Sequence, residues 1–282
     1  MKVSDIAGRD WDVLIILDAC RYDIFKKTYK KFLKKKSKLK KMNSLGRYTS
    51  QWLVRSFPKN YNNIIYVSGN PVINSRIKME CMGEKIDNRK KFFKLIDTWD
   101  WGWDESIGTT PPKNVNLDFL KYYEKFPEKR FVLHYMQPHI PYVPLVIREK
   151  TLLNKKEKDL TYFMLKKPII HKILHFPIFE PMTELGSKII YRLFKLKTGI
   201  DYQESNYNFL KEKYGKDLIR DFYKENLEYV LRNAKDLINK IDGKIVITSD
   251  HGEMLGEHGI FGHTCQENYK ELIEVPWLEI EN

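Results

Sequence analysis

The run Val13-Leu14-Ile15-Ile16-Leu17 is apolar without a break and ends at Asp18. A continuous apolar, β-branched run of this length is what a central strand covered on both faces requires. Similar runs occur at Ile64-Ile65-Tyr66-Val67, Phe131-Val132-Leu133-His134-Tyr135 and Lys244-Ile245-Val246-Ile247-Thr248, and a last one at Val275-Pro276-Trp277-Leu278-Glu279-Ile280. Helix-like segments lie between them. The clearest covers 217–239, where Leu218, Phe222, Leu227, Val230, Leu231, Ala234, Leu237 and Ile238 form a stripe near the 3.6 period, closed by Gly243. Alternating strands and helices predict an α/β fold with a central, mostly parallel sheet between helices.

Two stretches read as peripheral to that sheet. Residues 26–41, KKTYKKFLKKKSKLKK, have no balancing acid, which predicts a solvated helix or loop face, with anionic lipid or nucleic acid as the alternative partner. Residues 145–215 mix lysines and apolar residues, interrupted by Pro168, Pro177 and Pro181, and contain no strand-like run. A long insertion of this kind predicts a variable helical cap over a site, within one domain spanning 1–282.

With 282 residues, 42% apolar and 31% charged, the chain can bury a sizeable core, so disordered and fibrous classes are excluded. Fifty Lys and Arg against 37 Asp and Glu leave +13, a field that attracts anions such as phosphorylated or sulfated substrates. Zinc-finger spacing and aromatic RNA-binding stretches are absent, so nucleic acid is not the expected partner. The cysteines Cys20, Cys81 and Cys265 form no CxxC pair, which predicts a reducing, cytoplasmic setting. Asp10, Asp12 and Asp18 bracket the N-terminal apolar run, so a buried strand is expected there in place of a signal. No apolar run approaches the roughly 20 residues of a membrane span.

The densest chemistry lies in SDHGEMLGEHGIFGH, residues 249–263. Asp250 and His251 directly follow a strand, at the sheet edge where open α/β folds place their ligands. Carboxylate oxygen and imidazole nitrogen suit Mn, Zn, Mg or Ca as a divalent ion. Gly252, Gly256, Gly259 and Gly262 allow tight turns that could return His258 and His263 to the same crevice. Asp18, ending another strand, supplies a second carboxylate, and Arg21 three residues on could hold an anion. Thr49 and Ser50 precede a helix-like segment. Either is a helix N-cap or, activated by a cation, an alkoxide nucleophile. His139, between Pro138 and Pro141 after a strand, is a candidate for an anion or leaving-group contact. His134 lies inside that strand and reads as a packed core histidine.

LDACRYD at 17–23, the Thr-containing loop before a helix, HYMQPHIPY at 134–142 and SDHGEMLGEHGIFGH occur in the order and approximate spacing of a known family. The chain resembles the sulfatase-like branch of the alkaline phosphatase superfamily over nearly its whole length except 145–215. The resemblance implies a catalytic divalent metal on Asp18, Asp250 and His251, and Thr49 at the nucleophile position. It also implies that His139 and His263 contact the transferred sulfuryl or phosphoryl group. No C-x-P-x-R or S-x-P-x-R motif is present, and Cys20 is misplaced for formylglycine formation, so a formylglycine sulfatase is not expected. The second D-x-x-x-H ligand pair of two-metal relatives is also missing, which implies a single metal and no second one.

The expected protein is therefore a metal-dependent hydrolase of phosphate or sulfate esters using a threonine nucleophile on an anionic small-molecule, glycan-linked or lipid-linked ester. Two alternatives remain: a phosphoglycerol or phosphoethanolamine transferase in glycan or lipid head-group assembly, and a non-catalytic anion-binding or nucleic-acid-binding protein. A peripheral contact with an anionic membrane is a further expected partner.

Overall fold

A computed structural model describes residues 6–149, 202–263 and 267–281. In chain order its strands are β1 (Val13–Leu17), β2 (Ser37–Asn43), β3 (Tyr61–Ser68), β4 (Met79–Cys81), β5 (Glu84–Ile86), β6 (Phe92–Asp97), β7 (Arg130–Tyr135), β8 (Lys244–Thr248), β9 (Met254–Leu255), β10 (Phe261–Gly262) and β11 (Glu274–Glu281). The helices are α1 (Tyr22–Thr28), α2 (Thr49–Ser56), α3 (Thr98–Gly102), α4 (Pro112–Lys125), α5 (Val143–Glu149), α6 (Tyr202–Tyr214), α7 (Ile219–Ile238) and α8 (Lys270–Ile273).

Seven strands form one sheet in the order β2-β11-β8-β1-β7-β3-β6. β1 pairs in parallel with β7 and β8, and β3 pairs in parallel with β7 and β6. β11 alone runs against its neighbours β2 and β8. β1 is wholly buried because its side chains alternate between two apolar layers. Val13, Ile15 and Leu17 pack with Phe119, Tyr223, Leu227 and Leu231. Leu14 and Ile16 face Trp52, Leu53, Phe57 and Tyr66 on the other side.

α7 covers the first layer with the stripe read from its sequence except Leu218, which lies in a 3-10 turn before the helix and is exposed; Leu227, Val230, Leu231 and Ala234 are fully buried. Each large apolar side chain buried there contributes about 1.5–3 kcal/mol, and Leu231→Ala would cost about 2–5 kcal/mol through transfer and cavity terms. The chain leaves α7 at Asn239 and turns at Gly243, whose φ of 99° is left-handed, directly into β8.

The lysine-rich segment differs from the helix or loop expected. It comprises the end of α1, a 3-10 turn at Tyr29–Lys31 and the edge strand β2. Met42 is buried and Leu39 packs against the core, while Lys40 and Lys41 pair with Glu279 at 2.7 Å and Glu274 at 2.8 Å across β11. Lysines along an edge oppose pairing with another chain, which explains a strand in which three of seven residues are lysine. Most of the expected cap at 145–215, residues 150–201, lies outside the described residues; its flanks are α5 and α6.

Candidate active site

Because β8, β1 and β7 are adjacent, parallel and in register, their C-terminal ends bring Asp250, Asp18 and the 136–142 loop to one edge of the sheet. The turn after β1 is held there under strain. Ala19 has φ of 59°, a left-handed conformation costing a non-glycine residue about 1–2 kcal/mol. Three bonds around it offset that cost at about 1 kcal/mol each. Ala19 N–H donates to Asp250 Oδ1 at 3.1 Å, its carbonyl accepts from the Tyr223 hydroxyl at 2.7 Å, and Cys20 N–H donates to Ser249 Oγ at 2.7 Å. The Cys20 thiol is fully buried, and burial, then Asp23 and Asp250, push its pKa well up, so it holds its proton.

Asp18, Asp250 and His251 are all buried and each offers a ligand-type atom within 4.8 Å of the others. His251 Nδ1–H donates to Gly252 O at 2.8 Å, which turns the Nε2 lone pair inward. Nε2 stands 3.6 Å from Asp18 Oδ1 and 3.4 Å from Asp250 Oδ2 and has no hydrogen-bond partner among the described residues. Burial works to raise the Asp18 carboxyl, but the rings of His134, His139 and His251 outweigh it and hold the carboxyl well below the ordinary range. Two buried carboxylates and an orphaned imidazole nitrogen converging on one point are unfavourable alone. Their donor chemistry fits a divalent cation. Asn70, at the end of β3, donates Nδ2–H to Asp18 Oδ2 at 2.7 Å and fixes that carboxylate.

Thr49 is the first residue of α2, after Tyr48 at the cap position. Its hydroxyl donates to Asp250 Oδ2 at 2.8 Å, so it faces the carboxylates and does not cap the helix. Ser50 instead donates to Cys81 O at 3.0 Å. Gly46 makes this placement possible: a Cβ there would lie 2.3 Å from Trp52 N. Ser44 donates to the Asp250 carbonyl and ties the loop to the strand end.

His139 and His263 also arrive at this edge. His139 N–H donates to Asp18 O at 3.1 Å, and the ring centroids of His139 and His263 are 5.2 Å apart. His263 lies 4.3 Å from the His251 ring and bonds through Nδ1 to Glu253 Oε1 at 3.0 Å. His139, Glu253 and His263 form a second group with ligand-type atoms within 4.8 Å of one another. Burial pushes Glu253 up to about 7 against the opposing pull of His139 and His251.

Three residues stand differently from what the sequence led one to expect. His258 does not return to the crevice; it is exposed and stacked on Tyr269 at 4.5 Å. Arg21 is not an open anion holder, because its guanidinium is taken up by Asp23 at 2.9 Å and Glu257 at 2.6 Å. His134 departs from a purely packed core residue. Tyr66 Oη bonds its Nδ1 at 2.8 Å, and its Nε2 lies 3.5 Å from Asp18 Oδ2 and 3.8 Å from Asp250 Oδ2. Its place in β7, next to the strand end and level with Ile16, was the available signal. Glu253 has no role assigned from the sequence, although a carboxylate two residues after His251 repeats the chemistry of its neighbours.

The mostly parallel seven-stranded sheet with flanking helices and this site at its C-terminal edge has the alkaline-phosphatase and sulfatase-like fold. Among solved structures, the chain is similar to the soluble domain of lipooligosaccharide phosphoethanolamine transferase A from Neisseria meningitidis. The likeness has 13% identity and a TM-score of 0.57, over 98% of this chain and 78% of that one. The integral membrane form of that transferase matches at 13% identity and TM-score 0.55; 97% of this chain is covered but only 48% of that one, so the chain spans about half its length. The C-terminal periplasmic domain of phosphoethanolamine transferase EptC from Campylobacter jejuni matches at 14% identity and TM-score 0.50, over 98% and 82% of the two chains. No family model and no curated protein matches the chain. The cytoplasmic placement expected from the cysteines is overturned by these likenesses, which are to a periplasmic domain and to domains of a membrane-bound transferase. No helix among the described residues is long and apolar enough to cross a membrane.

Proposed function

We propose that the chain is a metal-dependent, extracytoplasmic enzyme that cleaves an anionic phosphate ester through a covalent intermediate on Thr49. The observation that carries this is the Thr49 hydroxyl, 2.8 Å from Asp250 Oδ2, inside the convergence of Asp18, Asp250 and His251. Those three residues would hold the ion. When bound, it supplies Lewis-acid stabilisation of charge on the ester oxygens and favours the ionised hydroxyl.

The chain's own residues do the rest. Thr49 Oγ1 forms the new bond to phosphorus with its proton already directed at Asp250 Oδ2, while the bond from phosphorus to the leaving oxygen breaks. His139 and His263 steady the non-bridging oxygens or give the leaving oxygen its proton. A water or alcohol oxygen then attacks the phosphorus and gives its proton to the histidine that protonated the leaving oxygen, while the bond from phosphorus to Thr49 Oγ1 breaks and Oγ1 regains its proton from Asp250 Oδ2. The likeness to two phosphoethanolamine transferases favours an alcohol, and hence group transfer to a lipid-linked or glycan-linked acceptor, as a second reading over hydrolysis.

The test is a panel of nitrophenyl phosphate, phosphodiester, phosphonate and sulfate esters, each assayed with Mn, Zn, Mg and Ca and with chelator. Turnover of phosphorus esters that needs an added cation and vanishes in Thr49→Ala is expected. Full metal-dependent turnover by Thr49→Ala would overturn the proposal. Adding glycerol or ethanolamine as acceptor and following the phosphorylated product separates transfer from hydrolysis.

A further inference from the structure

The apolar face of α7 carries one residue that its periodicity does not explain. Asn226 is fully buried between Tyr223 and Leu227, where an aliphatic residue such as leucine would favour the helix and avoid burying an amide. Its side chain is consumed by a single segment of the loop after β7. Nδ2 donates towards the carbonyls of Pro138 at 3.0 Å, His139 at 3.0 Å and Pro141 at 3.3 Å, and Oδ1 accepts from Val143 N–H at 3.0 Å. The same segment is tied from the opposite side by His139 N–H to Asp18 O at 3.1 Å. His139 is therefore fixed at its backbone by two elements, and its Nδ1–H bond to Ile140 O at 2.5 Å fixes the ring on that backbone. One helical turn earlier, Tyr223 holds the Ala19 turn, so α7 fixes both loops that frame the crevice.

We propose that Asn226 is a positioning residue for His139, setting where that imidazole stands opposite His263 and thus how the site fits a tetrahedral anion. The proposal rests on the esterase reading for its kinetic consequence, but its structural content does not. A misplacement of about 1 Å at such a group can cost on the order of a hundredfold in rate, without changing ligands that sit on other loops.

The test uses Asn226→Ala and, because that variant can fail to fold, the isosteric Asn226→Asp, which keeps the acceptor and removes the donors. Long-range proton–nitrogen spectra of the full chain should show the His139 ring signals moved in the folded variants, with those of His251 in place. In a double-mutant cycle with His139→Ala, Asn226→Asp should lower kcat/KM by about tenfold or more with His139 present and by under about twofold without it. Unmoved His139 signals, or equal losses in both backgrounds, would overturn the proposal. Wild-type protein that turns over no ester would count against the enzymatic reading alone and leave the spectra to decide the role of Asn226.

Discussion

The side-chain amide of Asn70 donates to Asp18 Oδ2 at 2.7 Å, while Asp18 Oδ1 faces His251 Nε2 at 3.6 Å. One oxygen of this buried carboxylate is thus occupied by the protein and the other is turned to the site. Groups that orient a ligand in this way typically govern metal affinity by 10–100-fold, so Asn70→Ala should weaken divalent-cation binding by about tenfold. Calorimetric titration of metal-free protein with Zn or Mn checks this; an unchanged affinity would show that Asp18 needs no such partner.

Thr49 and Ser50 are neighbours whose hydroxyls turn to different partners, Asp250 Oδ2 and Cys81 O. Thr49→Ala should lower ester turnover on the order of 10³-fold or more, and Thr49→Ser should retain a measurable fraction, since the hydroxyl keeps its reach to Asp250. Ser50→Ala loses only a bond to Cys81 O and should turn over at near the wild-type rate. Intact mass after rapid acid quench should show a phosphoryl adduct in the wild type and none in Thr49→Ala.

Glu257 binds Arg21 at 2.6 Å and accepts from Leu255 N–H at 2.8 Å. Burial opposes its ionisation, but these partners prevail and hold its pKa below the ordinary 4.5. A folded-state pKa below the unfolded one contributes stability that is fully present above about pH 4.5 and is lost as pH falls through the folded value. Urea midpoints of wild type and Glu257→Gln should therefore differ most near neutral pH and converge in acid. A gap that widens below about pH 4.5 would contradict the sign.

Gly252 has no room for a side chain: a Cβ would lie 1.9 Å from Glu271 O, while the Gly252 N–H donates to Leu272 O at 2.7 Å. Gly252→Ala should destabilise the fold by about 3 kcal/mol in denaturant titration. It should also weaken cation binding, because the Gly252 carbonyl is the acceptor that orients His251.

Strands β1, β3, β7 and β8 and helix α7 were legible because burial on both faces, or on one helical stripe, leaves an unbroken apolar signature. β2 and β6 are the outer strands, and their alternation is carried by residues such as Lys38 and Lys94 that edge exposure permits. That Asp18, Asp250 and His251 meet at the sheet edge could be read because each follows a recognisable strand, and the place of Thr49 before α2 because a glycine loop leads into a helix. Asn70 and Asn226 could not, since an isolated polar residue acquires meaning only from what distant segments place beside it, whereas His134 and Glu253 carried a local signal in their closeness to a strand end and to His251. Asn70 and Asp18 are 52 positions apart, and Asn226 lies 87 from the His139 carbonyl it holds.

The Ala19 amide and the Asp250 carboxylate that receives it are separated by 231 positions, nearly the length of the chain. An ion seated between Asp18 and Asp250 would act as a rivet joining the first strand to the eighth. Saturation at a hundredfold excess over the dissociation constant would add about 2.7 kcal/mol to the unfolding free energy. Draining the ion would give that stabilisation back, and the loss would fall at the join of β1 and β8.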